Sequence, residues 1–156
     1  MTSKREFPER PVVGVGGVVI EDGRTLLICR GNEPLKGRWS IPGGTLELGE
    51  TLVEGVAREL LEETGLEVRV GPLIEVFERI SPGNPPDANS ATPPESSGPR
   101  YHFVIADYLC ERIGGQVRAG GDVTDVAWAR QSELAPYNLT ETATRILQKA
   151  FAMARK

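Results

Sequence analysis

Three glutamates and one arginine crowd the six positions Arg58 to Glu63, with only Leu60 and Leu61 between them. If the segment is helical, Glu59, Glu62 and Glu63 are neighbours, because positions three and four apart share a face. Like charges at that spacing repel, and a helix kept only for packing has little use for three of them. A bound divalent cation turns that cost into affinity, since hard cations are held by clustered carboxylate oxygens. The chemistry on offer is that of a metal ion shielding anionic groups.

A helix must present those carboxylates, and its ends are marked. Thr51 is placed to cap the N-terminus, and Glu54 three residues later completes the pattern of a capping box. Gly65 follows the last turn, with Leu66 beyond it, as at many helix C-termini. Leu52, Val56 and Leu60 form one apolar row, and Val53, Ala57 and Leu61 form the next. Together the rows predict a buried arc over roughly half the circumference. Glu59 and Glu63 lie at one edge of that arc, Glu62 beyond them and Arg58 further round. Gly55 falls on the acidic face, where glycine costs about 1 kcal/mol relative to alanine. Either the position merely tolerates it, or a loop, a metal-bound water or a phosphate passes close over the helix there.

The rest of the chain supplies a frame. Val12 to Ile20 and Thr25 to Arg30 are apolar runs joined through Glu21-Asp22-Gly23, and Asp-Gly is a strong hairpin signal. Gly14 to Gly17 has no helix after it, so it reads as a strand that other backbone approaches closely, not as a dinucleotide loop. Trp39 to Ile41 is a short apolar piece ended by Pro42, and Gly43-Gly44 lets the chain turn and expose carbonyls. Glu67 to Ile80 predicts one or two strands with a break near Gly71-Pro72. Residues Ser81 to Arg100 are dense in Pro, Ser, Gly and Asn, a composition suited to a loop between strands. Strand pattern resumes at Tyr101, a hairpin turn is expected at Ile113 to Gln116, and Val123 to Ala129 is a further strand. Gln131 to Tyr137 predicts a helical turn and loop. Thr140 to Ala154 predicts an amphipathic helix with Ala143, Ile146, Leu147, Ala150 and Phe151 on its buried face. The expected architecture is one α+β domain over residues 12–156, with a mixed sheet between helices, after an N-terminal extension at 1–11.

Composition narrows the function classes. A chain of 156 residues with 39% hydrophobic and 26% charged residues fits a single globular domain. Its formal net charge is -4, and no basic run offers a footprint for a nucleic-acid backbone. An acidic protein that handles phosphates needs metal ions to shield the repulsion. No apolar run approaches the roughly 20 residues of a membrane span, and the N-terminus lacks the apolar core of a secretory signal. Cys29 and Cys110 each end an apolar run and read as free buried thiols. No membrane partner is expected, and the cytoplasm is the default location.

Gly44, Glu50, Arg58, Glu59, Leu60, Glu62, Glu63, Gly65 and Leu66 match, without departure, the pattern G-x5-E-x7-R-E-U-x-E-E-x-G-U, where U is a bulky aliphatic residue. By these residues the chain resembles the Nudix hydrolase family. The resemblance implies an α/β/α sandwich and hydrolysis of a nucleoside diphosphate linked to another group, with Mg²⁺ or Mn²⁺. It implies that Glu59, Glu62 and Glu63, with the Gly44 carbonyl, hold the metal, and that Glu50 and Arg58 support them. Phosphoryl transfer agrees physically, since it needs charge neutralisation on the diphosphate and an activated water. The family's general base is a helix glutamate or an acid on a later loop. Asp122 and Asp125 are candidates here, with Glu78 and Glu111 behind them, and each also fits an ordinary solvated acid.

The segments LIEVFERI, YHFVIADYLC and GGDVTDVAWA look like the branch of ADP-ribose pyrophosphatases. ADP-ribose or a nucleotide sugar is then the expected substrate. An oxidised nucleoside triphosphate is the alternative, and a non-catalytic nucleotide-binding module is a third. Phe77, Tyr101, His102 and Trp128 are candidates for holding the nucleotide, although all four also suit the sheet or core. Many members of the family are dimers, so a homodimer is the prior expectation.

Overall fold

The computed structural model describes residues 5–33, 35–82 and 98–155. Asp22 and Gly23, both at positive φ (51° and 76°), turn strand β1 (Val12–Glu21) back onto β2 (Arg24–Arg30). That φ pair is what a tight hairpin demands, and Asp-Gly supplies it with little strain. β1 stays beside β2 only near the turn, at Ile20 and Glu21. Its earlier half is flanked instead by β4 (Gly43–Thr45), antiparallel, and β6 (Tyr101–Gly115), parallel. β5 (Leu66–Ser81) pairs antiparallel with β6, while β2 carries β3 (Trp39–Ser40) and β7 (Val123–Arg130). The result is a mixed seven-stranded sheet.

Alternation along β1 sends neighbouring side chains to opposite faces. Val15 and Val19 pack with Leu26, Leu66 and the Val56 and Leu60 side chains of helix α1 (Leu52–Thr64). Val18 and Leu27 pack with Ile146, Leu147, Ala150 and Phe151 of helix α2 (Glu141–Ala154). The two helices therefore cover opposite faces, in the expected α/β/α sandwich. Burying each such aliphatic side chain contributes roughly 1.5–3 kcal/mol before entropy is charged against it. Among the described residues no helix is long and apolar enough to cross a membrane.

Several local expectations change. Thr51 Oγ1 accepts from Glu54 N at 3.1 Å, but the Glu54 carboxylate makes no return bond, so only half of the capping box forms. On α1 the second apolar row faces outward: Val53 is 49% and Leu61 47% exposed. The buried face is instead Gly55, Val56, Leu60, Glu63 and Thr64. Gly55 explains this rotation toward the acidic side. A Cβ there would stand 2.7 Å from Leu46 Cδ1 and 3.1 Å from Glu50 Oε1, so glycine lets the 46–50 loop lie against the helix.

β5 runs unbroken through Gly71-Pro72, which the sheet absorbs as a bulge with register shifts between Val70 and Glu75. Ile113 to Gly115 is no hairpin turn. β6 continues through it, pairing Gly114 with Glu67 and Gly115 with Leu66. Those glycines let the strand pass the end of α1, where side chains would strike Glu67 and the Gly65 carbonyl. Both cysteines are free; Cys110 is buried, which pushes its thiol up to about 12. The polar loop expected over 81–100 falls largely at 83–97, outside the described residues.

Candidate active site

Arg58 is the hub around which the acidic groups are arranged. Its Nε donates to Glu50 Oε2 at 2.6 Å and its Nη2 to Glu50 Oε1 at 2.9 Å, a two-pronged pair that ties the loop to the helix. Nη2 also donates to the Thr45 carbonyl at 3.0 Å, anchoring β4. Nη1 reaches Glu59 Oε1 at 2.8 Å and Glu62 Oε2 at 3.3 Å. The guanidinium's hydrogen bond holds the Glu50 carboxyl below its usual range, and these partners push the Arg58 pKa up. Planar bidentate pairing of this kind is geometrically specific as well as strong.

Glu63 sits on the buried edge of α1, only 9% exposed. Its Oε1 accepts from the Gly43 backbone N–H at 2.8 Å. Burial first, and the neighbouring Glu59 second, raise its pKa to about 8, against the pull of Gly43 N–H and Arg30. Glu59 is also shifted up by burial, which outweighs its bond to Arg58. Two carboxylates are thus held together where neither ionises comfortably. That arrangement is costly in an empty protein and is relieved by a cation.

Gly44 completes the floor. A Cβ at this position would lie 2.5 Å from the Glu59 carboxylate, so only glycine lets that group close on the β4 backbone. Gly44→Ala is expected to displace Glu59 and lower kcat/KM at least tenfold, while overpacking costs about 1–3 kcal/mol of stability. Steady-state kinetics and urea midpoints on the two proteins check both halves.

Among the described residues no three such side chains are arranged to enclose a metal ion by themselves. Glu59 and Glu62 are turned to Arg58, and Glu63 to Gly43 N–H. The donor set still fits a hard divalent cation: clustered carboxylate oxygens, two of them raised by burial and repulsion, beside glycine backbone.

These groups line an open cleft of about 1420 Å³, bounded also by Arg30, Gly31, Asp122 and the 46–50 loop. Arg5, Glu9, Arg10 and Pro11 join its wall, so the N-terminal segment set apart in the sequence belongs to the site. Phe7 N donates to the Arg100 carbonyl at 2.7 Å and helps hold that segment in place.

The remaining candidates divide. Asp122 is exposed on the cleft rim and acts electrostatically on Glu63. Phe77 lines a second, smaller pocket that shares Arg5, Arg30, Gly43, Gly44 and Thr45 with the cleft. Tyr101, His102 and Trp128 line neither. Tyr101 is buried against Phe103, ring centroids 6.0 Å apart, with the Arg100 guanidinium 5.4 Å from its ring centroid. Trp128 packs against the core beneath α1. Strand alternation puts His102 on the opposite face from Phe103. Asp125 caps its neighbour, Val126 N to Asp125 Oδ1 at 2.8 Å, Glu111 pairs with Arg69, and Glu78 is exposed; none borders the cleft.

Residues 10–150 match the family model described as NUDIX domain. The chain belongs to the NUDIX family. An ADP-ribose pyrophosphatase of Methanocaldococcus jannaschii is 37% identical over 115 residues, 74% of this chain and 59% of that protein. A MutT-like protein of Streptomyces ambofaciens is 34% identical over 150 residues, covering 94% of this chain and 83% of its own. Among solved structures, a MutT NUDIX hydrolase of Burkholderia pseudomallei superposes with TM-score 0.71 at 30% identity, over 90% of this chain and 98% of that one. The chain thus spans about three-fifths of the archaeal relative and most of the other two. For a NUDIX chain, divalent-cation chemistry is the general expectation.

The site also contains polar groups that sequence reading passed over. Asp107, in the middle of the apolar run YHFVIADYLC, and Arg79, in LIEVFERI, both line the smaller pocket. For Asp107 the available sign was a carboxylate inside an otherwise largely apolar strand; Arg79, beside Glu75 and Glu78, carried no such sign.

Proposed function

We propose that the protein hydrolyses the pyrophosphate bond of a nucleoside diphosphate linked to another group, with ADP-ribose the first candidate. The products are then a nucleoside monophosphate and a sugar phosphate. One observation carries this reading: two mutually repelling, half-buried to buried carboxylates, Glu59 and Glu63, on a glycine backbone at the floor of an open cleft. In it, Glu59, Glu62, Glu63 and the Gly44 carbonyl hold Mg²⁺, or Mn²⁺ in its place. The bound ion supplies charge neutralisation and a water of lowered pKa. Arg58 and Glu50 keep the helix and loop in register, while Arg5, Arg10 and Arg30 give the cleft a basic side toward the phosphates. Asp122, at the rim, is the acid placed to take a proton from the attacking water.

The cleft exceeds the roughly 300–1,000 Å³ of common small-ligand pockets, which suits a substrate with two groups flanking a diphosphate. The name of the archaeal relative supports ADP-ribose. A cytoplasmic homodimer is part of the same reading, and light scattering at several concentrations tests the dimer.

The deciding experiment incubates purified protein with Mg²⁺ or Mn²⁺ and ADP-ribose, sugar nucleotides, dinucleoside polyphosphates or triphosphates, including oxidised ones. AMP and ribose 5-phosphate from ADP-ribose, abolished by chelation, is the expected result. Faster turnover of triphosphates would replace the substrate and leave the chemistry. Nucleotide binding without release of any product would make the protein a binding module and sink the hydrolase reading.

A further inference from the structure

Ahead of β1, residues Arg5 to Pro11 run as a strap without helix or strand, and four of them line the cleft. Residues 5–9 precede the part of the chain, residues 10–150, that matches the NUDIX domain, so the family pattern assigns them no role. An N-terminal segment keeps a fixed course only where other groups tie it down. Arg100, just before β6, supplies the tie. Its carbonyl accepts from Phe7 N at 2.7 Å, and its Nη2 lies 3.7 Å from Glu6 Oε2. Its own N–H donates to the Ser81 carbonyl at 2.9 Å, so the attachment point is itself fastened to the end of β5. Pro8 and Pro11 fix φ at two positions of the strap. Phe7 is at φ 50°, a region that a bulky residue enters only where its surroundings impose it. The Glu6–Arg100 pair is too exposed to add much stability; its effect is on where the strap lies.

What the strap delivers is Arg5. This exposed side chain borders the cleft, and it makes no hydrogen bond or ion pair among the described residues. Its charge nevertheless reaches the floor. Burial chiefly raises the Glu59 carboxyl and lowers the Arg30 guanidinium; Arg5 opposes the first shift and adds to the second. Arg5 is therefore within electrostatic range of both the acidic face of α1 and the basic side of the cleft. Arg58, by contrast, spends its donors on Glu50, Glu59, Glu62 and the Thr45 carbonyl. Arg5 keeps its planar fork of donors for a phosphate group, which it can meet two oxygens at a time.

We propose that Arg5 is a substrate-binding residue that holds the diphosphate, and that Arg100 is a positioning residue that keeps Arg5 at the cleft through the strap. The inference rests on the diphosphate-hydrolase reading for its substrate, and deepens it by naming a phosphate-binding group outside the family pattern. The diphosphate carries its charge before the reaction as well as during it. Loss of a contact to it therefore falls on KM more than on kcat.

Arg5→Ala is expected to raise KM for ADP-ribose roughly tenfold, with kcat within about twofold of the wild type. Arg5→Lys should recover part of the loss, because it restores the charge without the fork. Arg69→Ala removes the same charge from a surface pair with Glu111, away from the cleft, and should leave KM unchanged. Arg100→Gln should raise KM about threefold in the wild type but not in Arg5→Ala, where the strap has nothing left to position. Equilibrium binding of ADP and of adenosine, with Ca²⁺ as the ion, reads the contact without turnover. Arg5→Ala should weaken ADP roughly tenfold and leave adenosine unchanged. That pattern supports the proposal even if ADP-ribose is not cleaved, an outcome that would defeat only the hydrolase reading. A wild type that binds ADP no tighter than adenosine overturns the proposal. So does an unchanged KM or ADP affinity in Arg5→Ala, or an equal loss in Arg69→Ala. Independent, additive losses from Arg100→Gln and Arg5→Ala would overturn the positioning role of Arg100.

Discussion

Glu63→Gln is expected to lower kcat on ADP-ribose at least 100-fold, about 2.7 kcal/mol of barrier, while leaving the fold intact. Glutamine preserves the size of the side chain and an oxygen for the Gly43 N–H, which Glu63 now receives at 2.8 Å. What it removes is the charge that a divalent ion would meet. The same variant carries a sign-specific stability prediction. The folded Glu63 carboxyl is raised to about 8, well above the ordinary carboxylate range, so the metal-free folded state binds the extra proton. Its contribution to stability is fully present below about pH 4.5 and fades as pH rises through 8. Glu59, Arg30 and Asp122 are the charged groups that act on it. Metal-free wild type should therefore lose Tm between pH 5.5 and 8, relative to Glu63→Gln, in thermal melts across that range. Mg²⁺ should raise the wild-type Tm more at pH 8 than at pH 5.5, since binding competes with the proton, and should do little for the variant. A variant with wild-type turnover, or with the same pH slope, would refute the assignment.

Arg58→Met should be the most destabilising substitution in the site. It removes every polar contact between the guanidinium and Glu50, Glu59, Glu62 and the Thr45 carbonyl. Glu50 and Glu59 are each 12% exposed at the side chain, so both are left as poorly solvated charges without a cation. Stranding buried charge in this way costs about 3–5 kcal/mol, visible as a lower urea midpoint with little change in slope. Lowering the pH should recover part of that loss, because the stranded carboxylates then protonate. Arg58→Lys should fall between, since an ammonium cannot span both oxygens of Glu50 and still reach Glu59. Equal stability of Arg58→Met and wild type would mean that the ion pairs hold nothing together.

Much of this was legible in the chain itself because it is local. The Asp22-Gly23 turn, the Thr51 cap, the Gly65 stop and the spacing of Glu59, Glu62 and Glu63 all depend on residues within one turn or hairpin. The nine-position pattern from Gly44 to Leu66 fell into the same class, since its residues lie on one loop and one helix. Expectations failed where a distant segment intervened. The outward turn of Val53 and Leu61 follows from the loop that packs on Gly55. The continuity of β6 through Gly114 and Gly115 follows from pairing with β5, almost fifty residues earlier in the chain.

The nucleotide-facing side chains show the same division. Phe77, Tyr101 and Trp128 are all aromatic residues in strands, and no local pattern separates them. Only the sheet does, by turning Phe77 toward the smaller pocket, stacking Tyr101 on Phe103 and burying Trp128 against the core beneath α1. The sequence by itself determined which groups could hold a metal and that one helix presents them, because helical spacing needs no partner. The tertiary structure alone decided that Arg58 gathers those groups, that Gly44 makes room for Glu59, and that Asp107 and Arg79 share a pocket. Those facts depend on strand register and close backbone approach, which join residues far apart in the chain.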